Sequence, residues 1–146
     1  MVRSIIHPLL GVFLAMLGYY LVVEIGEKLY PMNFLTNDMN QEEVYLAIQE
    51  YLATAPFEVL SISIFAPMFG TFVGTLYVYQ ISDDLPLAHT APVLSVMLIC
   101  TILILTKPPH PTWMFIAPLL VVGAWWNAVK LGKARAIKSS EKAKQG

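Results

Sequence analysis

Of the 146 residues, 57% are hydrophobic and only 13% are charged, with a formal net charge of −1. That balance is too apolar for a soluble domain of this length and reads as an integral membrane protein of one domain, with no appended soluble module. The single cysteine, Cys100, excludes an internal disulfide and a CxxC redox pair.

A bilayer core about 30 Å thick is crossed by roughly 20 apolar helical residues. Four such segments are predicted, at about 8–29, 57–81, 86–106 and 112–131, so the expected fold is an all-α four-transmembrane-helix bundle. The first segment reads as a retained span and not a cleaved signal peptide. Glu27, Lys28, Leu29 and Tyr30 stand where a small-x-small cleavage pattern would follow.

This first helix ends in VVEIGEKLYP, where two carboxylates enter an apolar run. From Pro8 to Glu24 a helix climbs about 24 Å at 1.5 Å per residue, which places Glu24 near the edge of the hydrocarbon. Lys28, four residues on, has the favoured order for an ion pair with it, and Glu27 lies one turn away. Two readings stay open: a wet, paired interfacial carboxylate, and an acid that works at a site.

The connection over residues 30–56 contains no Lys or Arg and holds Asp38, Glu42, Glu43 and Glu50. Asn40 and Glu43 have the spacing of a capping box. Val44, Ala47, Ile48, Tyr51, Leu52 and Ala55 then recur at helical spacing, so an amphipathic surface helix is expected at about 40–55. Lipid-binding helices are usually basic on the polar face and this one is acidic. Docking onto the end of the bundle is therefore expected, with lipid and a partner protein as the alternatives.

The second span offers Ala66, Gly70 and Gly74, with GTFVG as a literal GxxxG, and the first offers Gly11, Ala15 and Gly18. Helices associate in lipid where small residues let backbones approach, so these two are expected to pack tightly, within one chain or across a homodimer. Pro67 and Pro118 are expected to interrupt the second and fourth spans. Cys100, among Met97, Leu98, Ile99 and Ile102, reads as an inert apolar thiol.

Before the fourth span, three prolines surround His110 in KPPHPTW, a stiff extended turn whose Pro111 suits a helix start. An even number of spans puts this turn at the same end as Glu24, Glu27 and Lys28, and together the four make the candidate outer-side polar site. A Glu24–His110 hydrogen bond is geometrically possible there, and an imidazole near a carboxylate would titrate close to neutral pH and relay protons or hold a cation. The alternative is a histidine on an exposed turn. His7 and His89 fall at the opposite end, and no metal-ligand spacing, nucleophile elbow or phosphate loop is present, so no metal, cofactor or catalytic residue is expected.

Arg3 flanks the first span, and Lys130, Lys133, Arg135, Lys138, Lys142 and Lys144 crowd the other end of the chain. Positive-inside counting thus puts both termini in the cytoplasm, and the acidic turn at Asp83 and Asp84 weighs little in that rule. Trp113 and Tyr30 then fall at the outer interface, and Trp125, Trp126, Tyr77 and Tyr79 at the inner one. Residues 132–146 read as a disordered basic tail that touches anionic headgroups, and nothing supports nucleic-acid binding.

The order of GVFLAMLGYYLVVEIGEKLYP, YLATAPFEVLSISIFAPMFGTFVG and PPHPTWMFIAPLLVVGAWW resembles a family of small bacterial four-helix membrane proteins of unknown function. The LYP and PHPTW pieces are its most specific parts, and the likeness runs to about Trp126. ISDDLPLAH departs from the basic, glycine-containing turn that the resemblance implies. The family carries no assigned activity, so it supports the fold. The expected function is a non-enzymatic scaffold or accessory subunit, embedded in the bilayer with a larger membrane-protein partner or further copies of itself. The alternative is a small proton- or cation-linked transporter or channel.

Overall fold

The computed structural model describes residues 2–31, 38–82, 86–106 and 110–145, all in helices and their connections, with no strand among them. Helix α1 spans Val2–Leu29, α2 Gln41–Thr54, α3 Phe57–Ile81, α4 Pro86–Thr106 and α5 Ala117–Gln145, the last preceded by a 3-10 turn over Thr112–Ile116. Four of these, α1, α3, α4 and α5, are long and apolar enough to cross a membrane, and they make the chain an all-α multi-pass membrane protein.

Two spans are longer than the sequence pattern suggests. Helix α1 starts before Pro8 and continues through it. The proline removes only the hydrogen bond to the carbonyl four residues earlier, a loss that helices near an interface tolerate. Helix α5 runs on through the basic tail expected to be disordered. Residues 131–145, LGKARAIKSSEKAKQ, contain no proline and are rich in Ala, Lys, Arg, Glu and Gln, so each added residue extends an existing helix at little cost. Pro118 does not interrupt that helix, because it lies in the first turn, where no donor is missed. Pro67 sits inside α3, and Pro92 inside α4.

Helix α3 is the hub. It packs on α1, α4 and α5, while α1 and α5 share no comparable contact with each other. In its most apolar stretch 44% of residues are buried, against 17% for α1, so α1 shows most of its surface to lipid. The closest approach is between α1 and α3. A Cβ on Gly70 would strike the carbonyl oxygen of Ala15, and one on Gly74 the carbonyl oxygen of Gly11. A Cβ on Gly18 would lie 3.3 Å from the Gly70 Cα. Ala15 and Ala66 are fully buried. The two backbones therefore touch, and dispersion over this seam supplies the association that lipid cannot drive hydrophobically.

Two further glycines admit large neighbours. Gly26 faces Ile62 of α3, with 2.7 Å between the added Cβ and the isoleucine Cγ2, and Gly132 of α5 lies against the ring of Tyr79 at 2.6 Å. Around the seam, one core cluster gathers Ala15, Val78, Val93, Met97 and Val121, and a second, toward the α2 end, gathers Leu60, Ile64, Leu105, Met114 and Ala117.

Buried hydroxyls are mostly paired within their own helices. Thr71 donates to the Pro67 carbonyl at 2.6 Å and Thr101 to that of Met97 at 2.7 Å. The indole N–H of Trp125 donates to Thr90 Oγ1 at 3.2 Å and ties α5 to α4. Phe57 and Trp113 pack with their rings tilted by 32° and their centroids 5.2 Å apart at the α2 end. Trp125 and Trp126, with Lys130 5.6 Å above the Trp126 ring, mark the other end.

Replacing Gly70 or Gly74 by Ala is expected to lower the unfolding free energy in micelles by about 1–3 kcal/mol, through overpacking against a backbone that cannot turn aside. Gly123 has nothing within 4 Å of an added Cβ. Gly123→Ala is expected to leave stability unchanged or to raise it by up to about 1 kcal/mol, as read from denaturant unfolding of the same preparations.

Candidate functional site

At the α2 end, the last turns of α1 carry three of the polar residues singled out in the sequence. Lys28 Nζ lies 3.4 Å from Glu24 Oε1, with the lysine side chain 74% and the glutamate 41% exposed. Tyr20 at i−4 and Lys28 at i+4 have the spacing that puts side chains on one face with Glu24. Helix α1 ends where the Tyr30 N–H donates to the Gly26 carbonyl at 2.8 Å and Pro31 stops the run.

Glu27 faces elsewhere. It lines a cleft of about 150 Å³ together with Tyr19 and Val23 of α1 and with Tyr30 just past the end of that helix. Across from them stand Ile62 and Ser63 of α3 and Tyr51 of α2. Pro67 has no N–H, so the Ser63 carbonyl lacks its helical donor, which leaves an acceptor on a residue of this wall. No ion pair to Glu27 occurs among the described residues.

Helix α2 begins with the capping box that its sequence announces. Asn40 Oδ1 accepts from the Glu42 N–H at 3.0 Å and the Glu43 N–H at 2.9 Å, and Glu43 Oε2 accepts from the Asn40 N–H at 2.9 Å. Its docking is narrower than the apolar stripe suggests. Leu52 and Ala55 pack against the cluster around Leu60, and Tyr51 reaches the cleft, but no residue of α2 is buried and Leu46 is 56% exposed. The reason is covalent: the short Ala55-Pro56 link holds only the last turn beside α3.

His110 is half-buried and directly precedes the Pro111 carbonyl that accepts from the Met114 N–H at 2.9 Å. That turn packs on α5, and Met114 joins the cluster with Leu60 and Ile64. The cleft is lined without His110. Of the four candidates, then, Glu24 and Lys28 pair, Glu27 enters the cleft, and His110 belongs to the turn that caps α5. Lys107, Pro108 and Pro109 lie outside the described residues.

The opposite end holds a cluster that the sequence pattern did not single out. His7 of α1 and His89 of α4 meet edge to face, with ring centroids 6.4 Å apart, and His89 Nδ1 lies 3.2 Å from Ser82 Oγ. These histidines are 82 positions apart and come together only because α1 and α4 pack, a tertiary fact invisible to spacing. Among the described residues no three His, Cys, Asp or Glu side chains converge as a metal site would require. The cleft had a sequence signal that went unused: Tyr19, Val23, Gly26, Glu27 and Tyr30 recur at intervals of three and four, one stripe of α1.

Compared with family models, with curated proteins and with solved structures, the chain matches none of them.

The Glu24–Lys28 pair is exposed, and such pairs contribute about 0.3–0.5 kcal/mol. Glu24→Gln is therefore expected to change stability in micelles by less than about 0.5 kcal/mol and to leave helicity intact by circular dichroism. A loss several times larger would mean that the carboxylate is held by more than its own helix.

Proposed function

We propose that the protein is a non-enzymatic scaffold or accessory subunit of a bacterial inner membrane, with both termini in the cytoplasm and α2 on the outer face. The observation that carries this reading is the closed, uncharged interior. The buried polar residues among those described are Thr71, Thr75, Ser82, Thr90 and Thr101, none of them ionisable. Backbone contact between α1 and α3 and two packed apolar clusters fill the axis. A transporter needs a polar route near the middle of the bilayer, and intramembrane ionisable groups are its usual mark. What the fold offers instead is surface: the lipid-facing sides of α1, a long helical extension of α5, and an acidic helix, α2, held at one end only.

The partner implied is a membrane protein with a basic patch at headgroup level, facing Glu42, Glu43 and Glu50 and the exposed Leu46 of α2. Orientation agrees with the basic residues from Lys130 onward. The similarity of the LYP and PHPTW segments to small four-helix bacterial membrane proteins of unknown function is part of the same reading.

Solubilisation in two mild detergents, followed by mass spectrometry of the purified material, is expected to return the same companion in fixed stoichiometry from both. Leu46→Asp is expected to release that companion while the bundle remains folded. A clean monomer in both detergents would contradict the proposal. So would a proton or cation flux in proteoliposomes abolished by Glu24→Gln and His110→Ala, because that result assigns the protein to the transporters.

A further inference from the structure

The cleft beside Glu27 has a size, a charge and a wall chemistry that together specify one class of ligand. A cavity of about 150 Å³ accepts a benzene-sized group of about six heavy atoms, too little for a whole amphiphile or a drug-sized molecule. Its charge is negative. Glu27 has no ion-pair partner among the described residues, Lys28 is engaged by Glu24, and residues 30–56 supply no Lys or Arg. A cation therefore fits better than an anion or a neutral group.

The wall says which cation. Tyr19, Tyr30 and Tyr51 line the same cleft as the Glu27 carboxylate. Aromatic faces attract organic ammonium groups, and several rings with an acid form the usual cage for them. A hard metal ion wants several oxygen ligands, and no group of three metal-binding side chains exists among the described residues. Ser63, whose carbonyl lacks its helical donor, adds an acceptor for the N–H groups of ethanolammonium, which choline does not have.

Position supplies the rest. The cleft lies at the level where α1 leaves its apolar span, between Val23 and Tyr30, which is the depth of lipid headgroups. Its remaining wall is aliphatic, with Val59 and Ile104 beside Ile62, as suits a site bordered by acyl chains. We propose that this cleft binds the ammonium headgroup of a membrane phospholipid, ethanolammonium or choline, with the charge against Glu27 and the acyl chains outside in the bilayer. Because Tyr51 comes from α2, the bound headgroup bridges α1 to α2 and braces a helix that is otherwise held by its last turn. This inference stands apart from the scaffold reading, since it is tested on the isolated protein.

Native mass spectrometry of the full chain, released from detergent supplemented with phosphatidylethanolamine, phosphatidylcholine or phosphatidylglycerol, tests it. The amine-headed lipids are expected to bind at one per chain and at least tenfold more tightly than phosphatidylglycerol. Glu27→Gln and Tyr51→Ala are each expected to remove that preference, while Glu42→Gln, which changes an acid that does not line the cleft, keeps it. Circular dichroism confirms that the variants are folded. Equal binding of the three lipids, or a preference that survives Glu27→Gln, overturns the proposal. If soluble tetramethylammonium binds as tightly as the lipids, the ligand is a free organic cation and the lipid assignment fails.

Discussion

The contact on which the rest depends is the one between the backbones of α1 and α3. In water a helix pair is driven together by burying apolar side chains, but acyl chains are as apolar as leucine and that force is absent in lipid. What remains is close packing, and it is strongest where nothing stands between two main chains. Gly70 against the Ala15 carbonyl and Gly74 against the Gly11 carbonyl provide that proximity in the half of the bundle nearest the termini. With these two helices joined, α3 becomes the axis, and α4 and α5 can close around its other sides through Val93, Met97 and Val121.

The same seam explains the cleft. Near Gly11 and Gly18 the two helices meet backbone to backbone, whereas near the α2 end Gly26 meets the side chain of Ile62. A side chain between the main chains holds them further apart, and the space that opens is floored by Ile62 and Ser63 and edged by the tyrosines and Glu27. Helix α2 brings Tyr51 to the wall of this space, while Leu52 packs on the neighbouring cluster. Tight packing at one end and a shallow, acidic, aromatic cleft at the other are two consequences of how small residues are distributed along α1 and α3.

Much of this was legible before any coordinates. Segments 57–81 and 86–106 are continuous apolar runs bounded by prolines or acids, so their limits follow from length and hydropathy. The capping box of α2 is a local signal between residues three apart, and local signals survive translation into structure. The helical tail was missed because its composition is equally at home in a solvated coil and in a helix already nucleated by the span before it. The limited docking of α2 depends on a short covalent link, which no periodicity records. Candidate site residues fared according to distance: Glu24 and Lys28 pair at i and i+4, a relation that one helix dictates, while the meeting of His7 with His89 requires two helices to pack first. Glu27 was named for its nearness to Glu24, yet it faces another way, because residues three apart on a helix overlap only partly in direction.

The most direct test of the central claim is disulfide formation between Gly26→Cys of α1 and Ile62→Cys of α3 in a chain carrying Cys100→Ser, assayed in native membranes. A Cβ at position 26 would lie 3.6 Å from the Ile62 Cβ, close to the usual separation of about 3.8 Å in a disulfide, and Ile62→Cys removes the methyl groups that crowd it. Rapid oxidation to a monomer with a cross-link inside one chain is the predicted result. Cross-linked dimers without that internal bond would contradict it, because they would place the glycine seam between two copies and remove the axis around which the bundle is built.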